Sequence, residues 1–288
     1  MRKIERIIDS HVAPVGTFSV RRALPDPNRK SVGPWVFLDH FGPFRVTPGH
    51  DGVGPHPHAG IETVTYLLSG RNHHRDSAGH DGIVAAGGAQ WMTSGRGIIH
   101  AEAPLAESES EMTMHGIQLW TTLPRALKLM EPRYQRIAAD AIPEIAVEGG
   151  SVRVVAGDYV SHHASHKGPA EVLMPLMLWH VRLNPGANFR ADIPVNHEVA
   201  AYLIEGEGTF GAGAHAGKSG QLVVFDNADG AVAFSNSGKG LLDVMLLGGA
   251  PAEGPLVFHG PFVMNSIEQV HAAEKAYSTG RMGQLAEA

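Results

Sequence analysis

The sequence predicts an all-β protein of two tandem sandwich or barrel domains with one short helix near its C-terminal end. Three observations carry this. Glycine (35) and proline (19) are frequent among 288 residues while hydrophobic content is an ordinary 43%, a balance that favours many short strands joined by tight turns. Short apolar runs rich in β-branched and aromatic residues recur between Gly, Pro, Asp and Ser. Finally, Tyr66-Leu67-Leu68-Ser69-Gly70 is echoed by Tyr202-Leu203-Ile204-Glu205-Gly206, each followed by a polar hairpin and a Gly-led strand, at Gly87-Gly88 and at Gly220. An echo of this kind suggests a duplicated β-domain.

The elements follow in order. Strands are expected at 35–38, 63–68, 83–85, 90–93 and 115–120, then in a second series at 152–156, 176–183, 200–204, 221–225, 232–234 and 241–247. Periodicity fades between Glu131 and Gly150, which places the expected domains at 1–135 and 136–288. A short helix is expected at 124–130, ending near Pro132. A longer one is expected at 266–279, where Ser266 can cap the N-terminus, Gln269 occupies the third capping-box position and Gly280 can end it. Ile267, Val270, Ala273 and Tyr277 give that helix an apolar stripe.

Composition removes several function classes. Net charge is −6 with His neutral, so no broad cationic surface awaits a phosphate backbone and direct nucleic-acid binding is not expected. Cysteine is absent, which excludes disulfides and thiolate metal sites and fits a reducing compartment. The first residues, MRKIERIIDSHVAP, lack the apolar core of a signal peptide. The longest apolar run, 241–250, includes Asp243 and is far short of a membrane span. A cytoplasmic protein is the expectation.

The chemistry concentrates in His56-Pro57-His58 and, after 41 intervening residues, His100-Ala101-Glu102. Residues i and i+2 of a strand share a face, so two neighbouring strands could aim three imidazoles and one carboxylate at one point. That donor set suits a first-row divalent metal and leaves open coordination positions, as a catalytic centre needs. Pro57 is tolerable at a strand rim, and Gly60, Gly95 and Gly97 would permit close backbone approach.

These residues resemble the cupin superfamily and, within it, the pirin family. The first cupin motif is approached by His56-x-His58-x3-Glu62 and Gly70, with seven residues before that glycine instead of six. The more specific likeness to pirins lies in PHPHAGIETVTYLLSG (55–70), HRDSAGHDG (74–82), GGAQWMTSGRGIIHAEAP (87–104), HGIQLWTTLP (115–124) and GPFVMNS (260–266). The resemblance implies two tandem cupin barrels, each a double-stranded β-helix or jelly-roll. It implies one metal in the first barrel, held by His56, His58, His100 and Glu102. Ferrous iron is the metal implied, with Ni, Mn, Co, Cu and Zn as alternatives. The second barrel should lack a site. With Tyr202 aligned on Tyr66, the positions of His56 and His58 fall on Asp192 and Pro194, and no His-x-Glu follows Gly220. Glu62 competes with Glu102 for the carboxylate role. The resemblance favours Glu102 as ligand, leaving Glu62 as an acceptor that fixes an imidazole tautomer.

The resemblance further implies a metal-dependent dioxygenase that opens flavonols such as quercetin with O2 and releases carbon monoxide. Glu102 would be the general base for the flavonol hydroxyl. The alternative it implies is a metal-dependent regulator acting through contacts with a transcription factor or metabolic enzyme. Two barrels in one chain are compatible with a monomer. Other histidines carry less weight: His73-His74, His162-His163 and His166 read as solvated, His180 as a hydrogen-bonded core residue and His40 as structural. Trp91, Met92 and Trp120 read as core, with Met92 able to line the cavity.

Overall fold

The computed structural model describes residues 1–106, 111–161 and 164–285, and His162-His163 lie outside them. The chain is all-β apart from one helix, and it forms two compact units. These units exchange segments. One comprises Val12–Val20, Leu38–Ala139 and Ala252–Ala288, the other Met1–His11, Arg21–Phe37 and Asp140–Pro251. Set beside the expected domains 1–135 and 136–288, residues 1–11 and 21–37 group with the later segment and the residues after Pro251 with the earlier one. The second unit takes its edge strand from the start of the chain: Ile4–Asp9 pairs antiparallel with Gln221–Phe225, covering an otherwise open strand edge. The last 37 residues return to the first unit.

Each unit is built around a seven-stranded and a four-stranded sheet. One seven-stranded sheet, made mostly of residues of the first unit, runs Arg133–Ile137, Ala89–Thr93, Ile61–Ser69, Met112–Thr122, Trp35–Val46, Phe18–Leu24, His11–Val15. The smaller runs Val53–His58, Ile98–Pro104, Arg71–Asp76, Asp81–Ala85. In the second unit the smaller sheet runs Asn188–Ala191, Val232–Asn236, Glu207–Phe210, His215–Lys218.

The internal echo is structural. Gly87 N donates to Leu67 O at 2.7 Å, and Gly220 N donates to Leu203 O at 2.8 Å. Gly70 and Gly206 both take φ near 90°, at 89° and 86°, the left-handed conformation that glycine adopts without strain. The second barrel is filled by aromatic rings: Phe234 lies 4.9 Å from Phe189 and 5.2 Å from Phe210, and Tyr159 lies edge-on to Trp179 at 5.1 Å. Asp192 and Pro194 are both exposed.

The C-terminal helix spans Ile267–Ser278, with Ser266 Oγ accepting from Gln269 N at 3.3 Å. Gln269 Oε1 reaches back to Asn265 N at 2.9 Å, one residue before the cap. The expected helix at 124–130 is only a 3₁₀ turn, Arg125–Leu127, closed by i to i+3 bonds such as Leu127 N to Pro124 O at 2.9 Å. Among the described residues, no helix is long and apolar enough to cross a membrane.

Candidate metal centre

His56 and His58 lie on Val53–His58, and His100 and Glu102 on its antiparallel neighbour Ile98–Pro104, where His100 faces His56 and Ile98 faces His58. The ring centroids of His56 and His100 are 4.3 Å apart, and each lies 5.0 Å from that of His58. One nitrogen from each ring falls within 4.8 Å of the others, the one such group of potential metal ligands among the described residues. His58 and His100 are buried and His56 half-buried.

Hydrogen bonds fix which nitrogen each ring presents. The Nδ1–H groups of His56 and His58 donate to Gly54 O at 2.8 Å and Pro261 O at 3.2 Å, leaving both Nε2 lone pairs for the centre. His100 is oriented through a relay. The Asp76 carboxylate accepts from His74 Nε2 at 3.0 Å, so His74 Nδ1 is an acceptor. His100 Nδ1, 3.4 Å from His74 Nδ1, is then the donor and its Nε2 is a free lone pair. That Nε2 is buried with no hydrogen-bond partner, the kind of orphaned atom a metal ion satisfies. Burial, reinforced by His56, lowers the His58 pKa to about 3. Burial and the neighbouring imidazoles His58, His56 and His74 hold His100 well below the usual range. Both rings are therefore neutral, the ligating form, and the donor set fits a first-row divalent ion.

Glu102 is not part of the 4.8 Å group. Its Oε1 accepts from Asn72 Nδ2 at 3.2 Å and from Gln90 Nε2, and lies 3.0 Å from Thr65 Oγ1. The register between the two strands shifts between His100 and Glu102, where Gly54 and Pro55 add a residue opposite Ala101. Glu62 is buried elsewhere, its Oε1 accepting from Thr93 Oγ1 at 2.7 Å, and burial raises its pKa. It fixes no imidazole among the described residues; the Gly54 and Pro261 carbonyls and His74 do.

His74 corrects another expectation. The ring is fully buried, sandwiched between His100 and Tyr134, on which it stacks at 4.4 Å. A His-His pair in a polar run gives little hint of this, because alternation along Arg71–Asp76 buries His74 while leaving His73 half-exposed beside Asp81. The Tyr134 hydroxyl is buried without a hydrogen-bond partner, and burial with the Glu102 charge raises its pKa. Trp120 meets His58 edge-on at 4.9 Å, half-buried rather than in the core, while Trp91 and Met92 are buried. His180 is buried and bonded to Asp243 at 2.5 Å, and buried His40 pairs with His115 at 2.7 Å.

The family model described as Pirin matches residues 17–121, and the one described as Pirin C-terminal cupin domain matches 178–283. The chain is 36% identical over 270 residues to a pirin-like protein of Solanum lycopersicum, covering 92% of this chain and 87% of that one. It is 34% identical over 267 residues to human pirin, covering 92% and 88%. A crystal structure of quercetin 2,3-dioxygenase from Acinetobacter baumannii superposes with a TM-score of 0.89 at 31% identity, covering 99% of both chains.

Proposed function

Because the chain belongs to the pirin family of two-barrel cupin proteins, we propose that it is a metal-dependent dioxygenase that opens a flavonol such as quercetin with O2 and releases carbon monoxide. The observation that carries this reading is the buried, unpartnered His100 Nε2 facing two imidazoles whose Nδ1 atoms are already engaged. The likeness to the A. baumannii dioxygenase supports the substrate class.

His56, His58 and His100 would hold the metal, with the Glu102 carboxylate as fourth donor. When bound, a divalent first-row ion supplies Lewis-acid chemistry and, if redox-active, one-electron chemistry, and ferrous iron is the ion proposed, ahead of Ni, Mn, Co, Cu or Zn. The remaining work belongs to the protein. Asn72 and Gln90 donate to Glu102 Oε1, while its Oε2 takes no hydrogen bond among the described residues. In this reading Glu102 Oε2 accepts the flavonol hydroxyl proton. The Asp76–His74 relay keeps the His100 proton on Nδ1, away from the centre.

Iron-loaded protein is expected to consume O2 and release carbon monoxide from quercetin, and His56→Ala to abolish both. Glu102→Gln should lower bound metal or turnover, whereas Glu62→Gln should leave the metal in place. Absence of turnover with every one of the six metals overturns the dioxygenase reading. Metal binding without turnover would then favour a regulator acting through protein contacts.

A further inference from the structure

After Pro251 the chain returns to the metal-binding barrel, and its path there is anchored at several points. Phe262 bridges to Ala59 in parallel, and Val263 N donates to Ala59 O at 3.2 Å. Phe262, Met264, Val270, Ala273 and Met282 share one apolar cluster with Ala59. Ser77 Oγ donates to Met282 O at 2.5 Å. Between these anchors, the Pro261 carbonyl accepts the Nδ1–H of His58.

Lys128 joins this segment to the turn beyond His58. Its Nζ is fully buried and donates to Gly60 O at 2.7 Å, to Val263 O at 2.6 Å and to Thr122 Oγ1 at 2.7 Å. Three donors meet three acceptors, and no carboxylate is among them. Burial alone lowers its pKa to about 7. A lysine so buried costs free energy that an apolar side chain of similar length would not. Two of its acceptors are carbonyls from the two chain segments that flank the His58 ring: Gly60, two residues past His58, and Val263, two residues past Pro261.

We infer that the segment Val257–Met282 is a strap that sets the orientation of the His58 imidazole through the Pro261 carbonyl, and that Lys128 is the positioning residue that pins the strap to the Gly60 turn. The inference deepens the metal-centre reading and rests on it. Lys128 touches neither metal nor substrate; it acts by holding the acceptor that keeps the His58 proton on Nδ1 and the Nε2 lone pair aimed at the centre. Losing a group that orients a ligand typically weakens metal binding about 10- to 100-fold.

The test is titration of the metal-free full chain with Co(II), followed by the visible absorption of the bound ion. Lys128→Met keeps the length of the side chain and removes every donor; Lys128→Gln restores two of them. Val46→Ala, in a separate apolar cluster of the same barrel, serves as a destabilised control. Lys128→Met is expected to weaken Co(II) binding about 10- to 100-fold and alter its absorption bands, Lys128→Gln to fall between, and Val46→Ala to change neither. If Lys128→Met binds Co(II) with unchanged affinity and spectrum, or loses no more than Val46→Ala, the strap does not position His58. If Lys128→Met fails to fold, Phe262→Ala, which loosens the strap with Lys128 intact, is decided by the same two outcomes. A wild-type chain that binds no Co(II) would instead overturn the metal-centre reading, and the strap's role with it.

Discussion

At the residue scale, the centre is defined by where protons sit on three imidazoles. Each Nδ1 is accounted for, by Gly54 O, Pro261 O and His74, so each Nε2 is left as a donor atom. The low pKa of His58 has a consequence for stability. Its folded value of about 3 lies below the unfolded value of 6.5, so between them the unfolded chain binds more protons and stability rises with pH. The contribution is complete above about pH 6.5 and is lost as pH falls towards 3. Metal-free protein should therefore lose Tm on acidification through this window, and His58→Gln should lose less. Equal acid sensitivity of the two, by thermal scans from pH 7 to 4, would contradict the assignment. Of these residues, His56, His58 and His100 were legible from spacing and family resemblance. His74 and Asp76 were not, because a polar side chain in a polar run declares itself buried only when an aromatic lid such as Tyr134 is in place.

Strand pairing is what brings the three histidines together at the element scale, and the turn at Gly60 follows directly on the strand that carries His56 and His58. Gly60 has φ +76°, and a Cβ there would meet the Val263 carbonyl oxygen. Gly49 has a similar φ of +81° but open space around it. Gly49→Ala should cost about 1–3 kcal/mol from backbone strain alone, and Gly60→Ala should cost more, with weaker metal binding besides. Urea unfolding of both checks this; equal losses would show that the contact with Val263 gives way freely. The final helix was readable in the sequence because capping is local: Ser266 and Gln269 lie within one turn of each other. The strand Ile4–Asp9 was not, since its charged pattern IERIID becomes a strand only by pairing with Gln221–Phe225.

Over the whole molecule, one barrel carries the group of His56, His58 and His100, and the other packs aromatic rings in its core. Phe189→Ala in the second barrel should cost about 3–5 kcal/mol of stability yet leave one metal per chain, which unfolding curves and elemental analysis together would show. A fall in metal content in that variant, at temperatures where it stays folded, would mean that the two barrels do not act separately. The sequence by itself determined the all-β class, the duplication and the grouping of His56, His58 and His100, which are written in short-range periodicity, turn glycines and i, i+2 spacing, and it gave the family through the resemblance of its motif blocks. Only the tertiary structure decided which unit each end of the chain joins, that Glu102 is held by Asn72 and Gln90 outside the imidazole group, and that Pro261 and Lys128 stand behind His58. These contacts span 12 to 203 positions of the chain: their residues meet because sheet closure and burial select their partners, and no local pattern records that selection.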